Sequence, residues 1–258
     1  MKERIQPIIE RHYKYQLDQY QAFEKTVPLP HQPMRSFTMK AAKIALLLLA
    51  AVALAGCATS RSQIDIKPAH TVNTGATAVP NGKTIVIRNI TDERKFEENP
   101  KEANIPSLGF GGAASATEQV KARAFGRKRN TFGKALGDVL LPENQSVTGL
   151  VRENLTAGLQ SAGYTVKDST SAADKNSIVV DVHIKQFWSW IQPGFWAITL
   201  NANIETDITT VSGNSKTENI NVHSESGNQV IVESDWAKII EKSLQNYQTQ
   251  VISKAPAL

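Results

Sequence analysis

The stretch "SIVVDVHIKQFWSW", Ser177–Trp190, followed after a short link by "FWAITLNANIETDITTV", Phe195–Val211, decides the fold. In the first, Ile178, Val180, Val182 and Ile184 recur at every second position, with Val179, Asp181, His183 and Lys185 between them. That is the period of a strand with one apolar and one mostly wet face. The second repeats it with Trp196, Ile198, Leu200, Ala202, Ile204 and Ile208 inward. Residues opposed in an antiparallel pair share a face, so a three-residue loop, Gln192-Pro193-Gly194, is expected to close the hairpin. It pairs Ile191 with Phe195, Trp190 with Trp196 and Val182 with Ile204, with Gly194 in the left-handed position such loops use. Phe187, Ile191 and Phe195 then lie together on the face opposite the core stripe, near the tip. Left in water they would mark a partner contact, unless a loop folds back over them.

The elements on either side complete a layered pattern. A third strand is expected over about Ser215–Ser224, after the "SGN" turn. Upstream, "SVTGLVRENLTAGLQSAGY" places Val147, Leu150, Val151, Leu155 and Leu159 on one helical face, with Ser146 as cap and Gly163 as stop. Tyr164–Val166 reads as a short strand. The C-terminal "SDWAKIIEKSLQNYQTQVI" sets Trp236, Ile239, Ile240, Leu244, Tyr247 and Val251 on one face behind Ser234 as cap. "KTIVIRNITDER", Lys83–Arg94, is a β-branched run, a first strand. Between it and the first helix, residues 95–142 read as a long irregular loop containing "GFGGAAS" and "FGRKRNTFGKALGD". Two amphipathic helices and a half-apolar sheet give an α+β two-layer sandwich, mostly antiparallel, with both helices on one face. Residues 83–258 form its single domain.

The N-terminal quarter has a different character. The apolar run from Ile44 to Ala55 holds about twelve residues, whereas a bilayer core takes about 20, so it is too short to span. Met39-Lys40 and Lys43 precede it and the small residues Ala55 and Gly56 follow, which is the layout of a secretory signal. Cleavage is expected between Gly56 and Cys57, the chain's one cysteine. Leu54-Ala55-Gly56-Cys57 resembles the lipobox of bacterial lipoproteins. That resemblance implies a signal peptide over 34–56 and a diacylglycerol on the sulfur of Cys57. It further implies a third acyl chain, such as palmitate, on the freed amine. With Ala58 rather than aspartate next, it implies an address at the outer membrane of a Gram-negative bacterium, facing the periplasm. Residues 1–33 are polar, Pro-rich at their end and unlike an exported segment; we read them as a mis-annotated extension ahead of Met34 or Met39. Residues 57–82, rich in Thr, Ser, Ala, Asn and Gly, read as a flexible tether.

Charge and motif content bear on chemistry. The formal net charge is +5, but the excess sits mostly before Cys57, and the remainder is nearly balanced. Nothing in it calls for nucleic acid. With Cys57 lipidated the fold holds without a disulfide.

The order "IRNITDER", "GRKRNTFGKALGDVL", "VTGLVRENLTAGLQSAGYTV", a long meander and a terminal helix resembles the YajG-like family of outer-membrane lipoproteins over about Lys83–Ile252. That family is largely uncharacterised; the resemblance implies fold and location, with a loose link to envelope or flagellar structures, and supplies no reaction. "GRKRNTFGKA" departs from a phosphate-binding loop, because six residues separate Gly126 from Gly133-Lys134 and Ala135 replaces the magnesium-holding Ser/Thr. His70, His183 and His223 are scattered, and no metal or nucleophile motif occurs. No cofactor, metal or enzymatic activity is expected.

Arg123, Arg127, Lys128, Arg129 and Lys134, interleaved with Phe125 and Phe132, could grip phosphates or an acidic partner. The alternative is that they are solvated charges that pair with Glu93, Glu97, Glu98 and Glu102 in the preceding loop. The sequence thus suggests a lipid-anchored, non-catalytic module that binds or scaffolds an envelope assembly, with another envelope protein or a second copy as partner. The alternative is an accessory role in lipid or lipopolysaccharide transport, which requires an apolar cavity between sheet and helices.

Overall fold

The structure, a computed structural model, describes residues 61–67, 79–130, 132–168, 176–194, 196–211 and 215–258. In chain order the elements are β1 (Ser62–Gln63), β2 (Thr84–Asp92), α1 (Glu118–Arg123), β3 (Ala124–Arg129), β4 (Ala135–Leu140), α2 (Val147–Ser161), β5 (Thr165–Asp168), β6 (Ile178–Pro193), β7 (Ile198–Thr210), β8 (Thr217–Asn228) and α3 (Glu233–Lys254). The fold is α+β: α2 and α3 lie on one face of an open eight-stranded sheet. Most of the ladder belongs to the antiparallel β6–β7 and β7–β8 pairings, while β2 joins β5 and β6 in parallel.

Both large helices form as their periodicity requires. The Ser146 hydroxyl accepts the Gly149 amide at 3.1 Å to cap α2, and Gly163 ends it at φ +89°, where an added Cβ would stand 2.5 Å from the Val79 carbonyl oxygen. At the head of α3 the cap is Val232 rather than Ser234; its amide donates to the Asp235 carboxylate at 3.0 Å. Leu150, Leu155 and Leu159 from α2 and Ile239, Leu244 and Tyr247 from α3 are buried against Ile85, Ile87, Val180, Val182, Ile204 and Ile208 of the sheet. Each such side chain contributes about 1.5–3 kcal/mol on leaving water.

Three expectations are corrected. First, the segment read as a tether includes residues 61–67, which belong to the core. Ile64 and Ile66 are buried, β1 pairs with β4, and the Gln145 side chain holds both the amide and the carbonyl of Ile66. Second, the segment read as an irregular loop over 95–142 contains α1, β3 and β4. The rest of that loop, with α1, does fold back over the sheet. Phe96 and Leu108 of the loop and Val120 of α1 cover Trp188 and Trp190 on the face away from α2 and α3, and the Trp188 indole donates to the Ala103 carbonyl at 3.2 Å.

Third, the hairpin register differs. Ile191 stands opposite Leu200, Phe187 opposite Ile204 and Val182 opposite Ile208, the last pair of the hairpin being Pro193 and Ile198. A bulge at Lys185, between Ile184 and Gln186, inserts one unpaired residue and reverses the facing of everything after it. Ile184 and Phe187 therefore both face the helices, while Trp188 and Trp190 turn to the other side. Gly194 does not take up the left-handed conformation.

The same edge of β6 serves two strands in succession. Up to Ile184 it pairs with β2, and at Ser189 with Gly126 of β3. β3 runs parallel to β6, so the β3–β4 turn and the β6–β7 turn emerge at one end of the sheet.

Candidate functional site

The β3–β4 hairpin carries most of the basic residues singled out by sequence. Its charge is organised around Asp138, which is fully buried on β4. One carboxylate oxygen accepts Arg61 Nε at 3.0 Å and the other accepts the Gly109 amide at 2.8 Å. Arg127 lies across the strand from it, Nε to Oδ1 4.0 Å, and donates to the Leu136 carbonyl and the Ser107 hydroxyl. Burial holds the Arg127 pKa below the ordinary guanidinium value, with Asp138 pulling it back up. Arg127 is thus a structural cation of the hairpin, and its acid is Asp138 rather than one of the four upstream glutamates.

The remaining basic groups have other surroundings. Arg123 donates to the Leu141 carbonyl at 3.3 Å and Arg129 to the Gly133 carbonyl at 2.9 Å. Burial, then the nearby Arg127, lowers the Arg129 pKa. Lys128 is half-buried on β3, Lys134 is exposed in the turn, and Phe125 is in the main core. Of the glutamates, Glu93 holds His183 and Lys185, and Glu98 accepts the Ala114 amide.

The hairpin end of the sheet places apolar groups in solvent. The Asn130 side chain accepts the amides of Phe132 and Lys134 at 3.0 and 2.9 Å, and Gly133 turns at φ +77°, so the β3–β4 turn projects Phe132 outward, 93% exposed. At the neighbouring β6–β7 tip Trp196 is 87% exposed, not inward as its place in the alternation suggested. Val230 and Val232, which follow β8 at the same end, are also exposed. The contact set Phe187, Ile191 and Phe195 is not assembled: Phe187 is fully buried in the core and Ile191 packs partly against it, because the bulge carries both to the helix side. Phe195 lies outside the described residues, as do Gly56 and Cys57.

No protein-family model matches this chain, and no curated protein does. Solved structures offer distant likenesses. A Xanthomonas campestris protein of family DUF330 is 9% identical over 75% of this chain and 91% of its own, with a TM-score of 0.42. An uncharacterised protein is 10% identical over 77% and 99%, TM-score 0.36. A minor lipoprotein of Acinetobacter baumannii is 13% identical over 42% and 83%, TM-score 0.32. Identities and scores this low say nothing of activity.

A cleft of about 450 Å³ opens beside β5, lined by Ile87, Arg152, Thr156, Gln160, Val166 and Lys167 among others. Among the described residues no group of His, Cys, Asp and Glu is placed to hold a metal, and no helix is long and apolar enough to cross a membrane. Sequence reading missed Asp138 and the outward Phe132 and Trp196. The signals available were an aspartate inside the apolar run "GDVLL" and a phenylalanine inside an Asn-to-Gly turn.

Proposed function

We propose that this protein is a non-catalytic lipoprotein, anchored through Cys57 to the outer membrane, whose periplasm-facing domain binds or scaffolds an envelope assembly. The observation that carries the reading is the filled interface between the sheet and its helices. Ile85, Val182, Ile204, Leu155 and Leu244 meet there with 0% exposure, so the layers hold each other. Lipid or lipopolysaccharide transport would need an apolar cavity between them. The cleft beside β5 does not favour it, because it lies at the margin of the sheet and Arg152, Glu153, Lys167 and Asp168 line it. A domain filled in this way offers surfaces rather than an interior, which suits binding.

The anchor is tested by Cys57→Ser. The variant is expected to fold and to leave the membrane fraction, because two or more acyl chains are what hold such a protein firmly. A Cys57→Ser protein that still fractionates with the outer membrane would sink the lipoprotein reading. In-cell crosslinking of the mature protein, followed by identification of what is attached, tests the scaffold.

A further inference from the structure

We infer that the hairpin end of the domain, with Phe132 and Trp196 at its tips, rests on an anionic phospholipid surface. The inference builds on the proposed anchor at Cys57 and assigns the face that the anchor brings to the bilayer.

The first observation is how these side chains are displayed. Phe132 and Trp196 are 93% and 87% exposed at the tips of adjacent hairpins, with Val230 and Val232 beside them at 70% and 53%. Neighbouring strands lie about 4.8 Å apart, which sets the two tips within roughly 10 Å of each other. The Phe132 turn is stiffened by Asn130, so its ring is displayed by design of the turn. Aromatic side chains at a rim are the groups that settle at the headgroup level of a bilayer.

The second observation is where the chain enters. β1 runs parallel to β4, and β4 starts at the Phe132 turn, so the chain reaches Ser62 from the hairpin end. The Ser62 hydroxyl donates to Glu233 at 2.6 Å, beside the start of α3 and the exposed Val232. Cys57 is four residues before Arg61, and four extended residues reach at most about 14 Å. An anchor on so short a lead holds this end of the domain against the lipid.

Charge points the same way. Lys134 stands exposed in the turn and Arg129 at its base. Of the acids toward this end, Asp235 is paired with Lys238, Glu233 accepts the Ser62 hydroxyl, and Glu225 stands exposed on β8, set back from the tips. A cation is drawn to an anionic surface, and an aromatic ring gains by leaving water.

The experiment uses protein recovered from cells expressing the whole chain, whose intact mass reports the state of Cys57. It is combined with vesicles of phosphatidylethanolamine and phosphatidylglycerol carrying brominated acyl chains, which quench tryptophan on contact. Trp188 and Trp236 are buried and Trp190 is half-buried against the cluster of Leu108 and Trp188, so Trp196 is expected to give most of the quenching, and Trp196→Phe is expected to abolish that share without moving the thermal midpoint. Replacing Phe132 and Trp196 together by Ser is expected to weaken partitioning of the Cys57→Ser protein onto these vesicles by about tenfold or more. Equal quenching in wild type and Trp196→Phe, or none in either, overturns the inference; Trp196 shielded in cells with no quenching by lipid would mean a protein partner covers it, and overturns it too. The mass reports the anchor and the quenching reports the docking, so the two readings fail separately.

Discussion

The guanidinium of Arg94 donates to the carbonyl of Phe187, 3.1 Å away, at the point along β6 where β2 stops and β3 takes over. The same group donates to the Ala124 and Lys121 carbonyls at 2.5 and 2.7 Å and grips Asp92 with two bonds. Its side chain is wholly buried. A planar fork with five donors makes all five of these bonds at once, and an ammonium, with three donors, cannot. Arg94 thus satisfies the backbone at a junction where the ladder is interrupted. Arg94→Leu is expected to cost about 3–5 kcal/mol, the usual penalty for breaking a buried ion pair from one side. Arg94→Lys is expected to recover only a minor part. Urea unfolding measures both; a loss below about 1 kcal/mol for Arg94→Leu, the worth of a surface pair, would refute the assignment.

The two large helices meet at Gly158. A Cβ there would lie 2.8 Å from Val251 Cβ and Cγ1 and 3.2 Å from the Gln248 carbonyl. In an exposed helix Gly→Ala stabilises by about 1 kcal/mol. Here the forced separation of α2 from α3 outweighs that gain, and Gly158→Ala is expected to destabilise by about 1–3 kcal/mol. In a Val251→Ala background, where Cγ1 is gone and Cβ remains, Gly158→Ala is expected to cost less than it does in the wild type. An equal cost in both backgrounds would show that the contact is not the cause.

Acid should weaken the outer face of β6 in a definite way. Lys185, then His183, donate to Glu93 and hold its carboxyl below the ordinary value of 4.5. A depressed folded pKa means that the stabilisation is complete above 4.5, the unfolded value, and is lost as pH falls through the folded one. Glu93 is 36% exposed, so solvent screens the gain to about 0–1 kcal/mol. The stability difference between wild type and Glu93→Gln is therefore expected to be constant near neutrality and to shrink below pH 4.5. A difference that grows on acidification would contradict the sign.

The helices and the meander were legible because each kept its period and its stops. Ser146 and Gly163 bracket α2, and the even positions from Leu200 to Ile208 all face inward. β3 and β4 were not, because glycines at 126 and 137 and charges at 127 and 138 break the alternation. Asp138 is tolerable in a buried strand only because Arg61 and the Gly109 amide reach it from 77 and 29 residues away, which no local pattern records. The bulge at Lys185 was hidden for the opposite reason. Phe187 and Trp188 are both apolar, so either facing satisfies the sequence, and the choice is made by the switch from β2 to β3 along the neighbouring edge. The basic cluster was legible as composition; that Arg127 is committed to Asp138 while Lys134 is exposed was not.

The outer edge of β8 is guarded by one row of α3. Lys242, Asn246, Gln250 and Lys254, each four residues from the last, lie along the strand. Lys242 donates to the Glu225 carbonyl at 3.0 Å, Asn246 to the Ser224 hydroxyl at 3.2 Å, Gln250 to the Asn221 carbonyl at 2.9 Å, and Lys254 to the Asn219 carbonyl. β8 pairs only with β7 in the described structure, so these carbonyls would otherwise stand ready for another chain. Replacing Lys242, Gln250 and Lys254 together by Ala strips the row. Each exposed bond contributes only about 0.5–1.5 kcal/mol to stability, so the monomer is expected to persist with a modestly lower thermal midpoint. What changes is association: sedimentation should show a concentration-dependent dimer in the triple variant and not in Lys238→Ala, whose ammonium pairs with Asp235 instead of reaching the strand. A triple variant with the wild-type sedimentation profile at every concentration would mean that the row only ties helix to sheet, and that something other than these side chains keeps the edge closed.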